Sequence, residues 1–163
     1  MLLLCVAIVT LSGDAFGEEQ EDTDCSLVRA MISKQNEAKS WRGVIQHFGE
    51  VKGSEEIVQL KDKSYRSSNG GPWRVGRRIV LDTRQGDVAL VRACRNVLDS
   101  AEPLTSLRYE RDNGGGVSIS FQAWIDKGTG LPVKTSGRTT WLNGKSDSWV
   151  TMFTYDDSLK PPV

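Results

Sequence analysis

The chain has 163 residues, with 21 basic and 21 acidic side chains and one histidine, so it carries no formal net charge. That balance provides no electrostatic footprint for nucleic acid and excludes a strongly charged surface as the natural partner. The length suits one folded unit with a real core, and no polar linker or second composition regime divides it.

Residues 1–17 come first. Met1 to Leu11 form an apolar run, MLLLCVAIVTL, too short to span a bilayer but long enough for the apolar region of a secretory signal. Ala15 and Gly17 give the small-residue spacing that signal peptidase takes, so cleavage is expected before Glu18. The expected mature domain is therefore 18–163, periplasmic or secreted, with 21 basic against 20 acidic residues and no transmembrane segment.

Cys5 leaves with the signal, and Cys25 and Cys94 remain. In an exported chain such a pair reads as a disulfide, and its spacing is unlike that of a C-x-x-C redox site.

From Asp24 to Lys39, Leu27, Val28, Met31 and Ile32 recur at helical spacing, and Thr23 or Asp24 is placed to cap the N-terminus. Beyond it the apolar period becomes alternating, which is the pattern of a sheet. Trp41 to Glu50 and Ile57 to Asp62 read as strands. Lys63 to Ser67 and Trp73 to Val75 flank Ser68-Asn69-Gly70-Gly71, a turn suited to positive φ. Asp87 to Leu98 is ambiguous, because Val88, Val91, Cys94 and Val97 repeat every three residues; a short helix giving way to a strand near Cys94 is expected.

Gly114-Gly115-Gly116 reads as a hairpin connection rather than a phosphate loop, since no helix follows it. Val117, Ile119, Phe121, Ala123 and Ile125 then alternate with polar positions and should share one buried face, which leaves Trp124 pointing the other way. Lys127-Gly128-Thr129-Gly130 and Asn143-Gly144 turn the chain between this strand, Leu131 to Trp141, and Ser148 to Tyr155. Those three strands form an antiparallel meander that ends before Pro161-Pro162.

The segments Lys63-Ser64-Tyr65, Gly71-Pro72-Trp73 and Phe153-Thr154-Tyr155-Asp156 frame a longer run from Ala123 to Lys134 containing W-I-D-x-x-T-G-L-P-V-K. Together they resemble the LolA-like and LppX-like superfamily of periplasmic lipoprotein carriers, and the resemblance covers most of the mature chain. It implies an α+β fold, a curved antiparallel sheet or half-barrel wrapped around one or two helices. It also implies a lipid or a lipoprotein acyl chain as partner.

A sheet curved over a helix leaves a concave apolar face, and each buried methylene of an acyl chain there is worth about 0.8 kcal/mol. The candidate lining is Leu27, Met31 and Ile32 from the helix with Val117, Ile119, Phe121 and Ile125 from the alternating strand; each also serves as an ordinary core residue. The alternative is a filled core and an outer aromatic face that docks an envelope protein or glycan, built from some of Trp41, Trp73, Trp124, Trp141 and Trp149. Catalysis has little to work with, since the chain has a lone His47 and no nucleophile or metalloprotease motif. A third expectation is a hydrolase using His47 with a carboxylate. No metal or other cofactor is expected.

Overall fold

The computed structural model describes residues 15–50, 52–85, 88–97, 103–112, 117–141 and 143–162. The apolar segment through Asp14, Asp87 and the connection at 113–116 lie outside the described residues. Among the described residues, one helix, α1 (Ala15–Glu37), is followed by eleven strands. These are β1 (Trp41–Gly49), β2 (Gly53–Gln59), β3 (Lys63–Ser68), β4 (Arg74–Arg77), β5 (Arg84–Gln85), β6 (Val88–Ala89), β7 (Val91–Val97), β8 (Leu104–Asp112), β9 (Ser118–Asp126), β10 (Pro132–Thr140) and β11 (Ser146–Tyr155).

Nine strands form one antiparallel, open and curved sheet in the order β4-β3-β2-β1-β11-β10-β9-β8-β7, and β5 and β6 make a separate small ladder. The architecture is the expected α+β half-barrel around a helix. Neighbours in sequence are neighbours in the sheet on each side of β1 and β11, because their connections are hairpins. Asn69 (φ 51°) and Gly70 (φ 69°) turn β3 into β4, and Gly144 (φ 78°) turns β10 into β11.

Helix α1 packs on the concave face over β7 and β8. Cys25, Val28, Met31, Ile32 and Gln35 follow the i, i+3, i+4, i+7 spacing and are all buried. They meet Val91, Cys94, Leu107, Tyr109, Ala123 and Ile125 from the sheet. The Cys25–Cys94 disulfide is formed and fastens the helix to β7. Asp24 is not the expected cap, because the helix begins at Ala15. Its buried carboxylate instead accepts a hydrogen bond from the Asn96 N–H at 3.0 Å, beside the bridge.

At its other end α1 is held by Arg78. The guanidinium donates to the carbonyls of Asn36 and Ala38, and to that of Leu60 at 3.0 Å, so a cation satisfies the free carbonyls of the helix C-terminus. Asn36 also exchanges two hydrogen bonds with the backbone of Leu81.

Where a short helix is expected before Cys94, the described residues from Val88 onward form β6 and β7 instead. The ladder between β7 and β8 shifts between Arg92 and Arg95, where Ala93 adopts φ 50°. Two residues oppose one, a β-bulge, and the side-chain phase slips by one position. Val91 and Cys94 therefore both face the core although three residues apart. The bulge produces a three-residue apolar repeat without a helix.

Candidate functional site

Register fixes what faces α1. Ile45, Thr151, Thr135, Ala123 and Leu107 lie in one row across β1, β11, β10, β9 and β8. The next row holds His47, Trp149, Gly137, Phe121 and Tyr109. Side chains alternate along each strand, so both rows point into the concavity.

Between these rows and the helix lies a cavity of about 220 Å³. Met31, Ile32 and Gln35 close it from α1, while Trp41, Ile45, Ile57, Phe121, Trp149 and Phe153 supply most of the sheet wall. Ile79 and Leu81 reach it from the segment between β4 and β5. Aromatic contacts stiffen the wall: Tyr109 stacks on Phe121 at 5.0 Å, Trp149 meets Phe121 edge-on at 5.9 Å, and Trp41 meets Phe153 edge-on at 5.6 Å. Trp149 lies directly over Gly137, close enough that a β-carbon there would stand 2.3 Å from its ring.

Three of the seven candidate residues, Met31, Ile32 and Phe121, line this cavity. Leu27 and Ile125 line a separate recess of about 290 Å³ on the far side of Met31. Leu27 is 44% exposed there. Ile119 is buried on the concave face without reaching the cavity, and Val117 is half-buried just before β9. The rest of the lining, including Trp41, Ile45, Ile57 and Phe153 with Arg66 and Arg111, was not among the candidates. The alternation within β1 and β11 was the available signal for Trp41, Ile45 and Phe153, whereas Ile57 lies on β2.

The polar members of the wall are few. Arg66 lies 3.7 Å from the Glu55 carboxylate. The Tyr109 hydroxyl is pushed up to about 12, chiefly because burial disfavours its ionised form, with the neighbouring Arg111 charge acting in the opposite sense. Unfolded chain ionises tyrosine near pH 10, so the neutral buried phenol contributes stability that is full below pH 10 and lost as pH rises toward 12. Two units correspond to about 3 kcal/mol at most. Wild-type protein should therefore lose more stability between pH 10 and 12 than Tyr109→Phe does; parallel thermal melts that coincide across this range would contradict it.

His47 Nδ1 lies 3.7 Å from Asp147 Oδ2 at one end of the concave face. Neither imidazole nitrogen has a hydrogen-bond partner among the described residues, so no hydroxyl is poised as a nucleophile against the pair. No three His, Cys, Asp or Glu side chains gather as a metal site among the described residues.

The tryptophans do not form one outer row. Trp41 and Trp149 turn inward, while Trp124 sits on the outer face with Lys134 Nζ 4.5 Å from its ring centre. That face also exposes Val44 directly opposite Met152, and Phe48, which is 49% exposed.

The fold is LppX-like. The chain superposes on the crystal structure of the Mycobacterium tuberculosis lipoprotein LppX with a TM-score of 0.52 and 11% identity. The match covers 85% of this chain and 98% of LppX. No protein-family model matches the chain, and no curated protein matches it by sequence. At this identity the likeness establishes the shared half-barrel, and the residues of the cavity have to speak for themselves. No helix among the described residues is long and apolar enough to cross a membrane.

Proposed function

We propose that the protein is a non-enzymatic carrier that takes an acyl chain of a lipid or lipoprotein between α1 and the concave sheet face, and works outside the cytoplasm after losing residues 1–17. The observation that carries this reading is the cavity of about 220 Å³ walled by isoleucines and aromatic rings. An apolar void inside a small protein sacrifices packing contacts, and filling it with a ligand restores them. Six buried methylenes would contribute about 5 kcal/mol at roughly 0.8 each. The volume lies just under the usual range of about 300–1,000 Å³ for small-molecule sites, which suits one short or partly inserted chain. The disulfide supports an oxidising compartment.

The test is native mass spectrometry with organic extraction, on mature protein purified from an exporting host without detergent. A stoichiometric lipid is expected on the wild type and none on Ile45→Trp, whose indole fills the cavity. A bare polypeptide mass, with no uptake of added fatty acid, would overturn the reading. It would favour a second one, docking of an envelope protein or glycan through the outer face, which the exposed Val44, Phe48 and Met152 support.

A further inference from the structure

The cavity wall is apolar except at a few points, and at one of those, Arg111, an enclosed nitrogen lacks a hydrogen-bond partner. Arg111 Nε is closed off from solvent and makes no hydrogen bond, and its guanidinium enters no ion pair among the described residues. Gln35 is only 5% exposed and faces the same cavity from α1. Arg66, the other arginine on this wall, stands beside the Glu55 carboxylate. Arg111 is half-buried as a residue, but an enclosed guanidinium nitrogen without a partner is costly, and proteins keep such groups where something else completes them. A guanidinium offers a flat fork of N–H donors that matches a carboxylate or phosphate, and an amide adds a donor and an acceptor.

Building on the acyl-chain reading, we propose that the occupant is an amphiphile with a single acidic head group, carboxylate or phosphate, paired inside the cavity by Arg111 with Gln35 as the accompanying hydrogen-bond donor. A wholly apolar ligand would leave the arginine as it stands and deepen its desolvation. A cationic one would be repelled by it.

The experiment is titration calorimetry of the full mature protein, stripped of lipid, with probes that share a twelve-carbon chain: dodecanoate, dodecyl phosphate and 1-dodecanol. Inorganic phosphate and acetate serve as headgroup-only controls. A charge-assisted bidentate pair predicts that both anionic probes bind about 10- to 100-fold more tightly than the alcohol. The controls should bind at least 100-fold more weakly than the chain-bearing anions. In Arg111→Met the advantage of the acid over the alcohol should collapse while the alcohol's own affinity holds, and Arg111→Lys should keep part of it. Equal affinity for acid and alcohol in the wild type, which needs no variant, would overturn the head-group assignment and leave the carrier reading intact. Tight binding of phosphate alone would assign the site to a free anion and overturn the amphiphile. Failure of every chain-bearing probe would overturn both readings together.

Discussion

Removing the bridge with Cys25→Ala and Cys94→Ala together should lower stability by about 4 kcal/mol, the chain-entropy value for closing a loop of this length. The two cysteines are 69 residues apart, so the bridge removes a large share of the unfolded chain's freedom. It also spans the contact between α1 and β7 around which Val28, Met31, Val91 and Leu107 pack. Urea titrations of wild type and double variant, compared by midpoint and slope, measure the difference. A loss under about 1 kcal/mol would show that packing alone holds the helix to the sheet. The double substitution is preferred to a single one, which would leave a buried thiol free to react.

Replacing Gly137 with valine should abolish ligand uptake and destabilise the fold by about 1–3 kcal/mol, the usual range for overpacking. The position needs glycine for space: a β-carbon would meet Trp149 Cζ2 at 2.3 Å and Cε2 at 2.6 Å. The indole cannot pass through the sheet, so it must swing into the cavity and give up its edge contact with Phe121. Tryptophan fluorescence reports the movement, a thermal melt the stability, and dodecanoate binding the function. Adding Trp149→Leu to Gly137→Val should recover most of the stability, since the two sites act through one contact. An unchanged emission spectrum with intact binding would contradict this account.

Period-two patterns were the readable part of the chain. In β9 the alternation from Ile119 to Ile125 states its own register, and Asn143-Gly144 states its own turn, so the meander followed directly. The disulfide was legible for a different reason, which was the count of cysteines left after the apolar segment. The bulge at Ala93 was not legible, because one inserted residue turns alternation into a three-residue repeat that a helix would share. The cavity was legible only in part. Met31, Ile32 and Phe121 are found from local spacing, but Arg111 reaches the site through its place on β8, opposite Ile119, and no short-range pattern announces that. Arg78 is similar, since its role depends on bringing the segment after β4 to the end of α1.

The open sheet order has a mechanical consequence. β4 and β7 are the free edges of the half-barrel, and no hydrogen-bond ladder joins them to fix its diameter. Helix α1 spans the gap like the tongue of a buckle, riveted by a covalent bond on the β7 side and hooked on the other by Arg78 and by the Asn36–Leu81 pair. The two fastenings differ in kind, so the elasticity of the clasp is lopsided. Any widening of the half-barrel is therefore expected at the hooked side, whose fastening is hydrogen bonds alone, while the covalent bond on the riveted side keeps the helix in register.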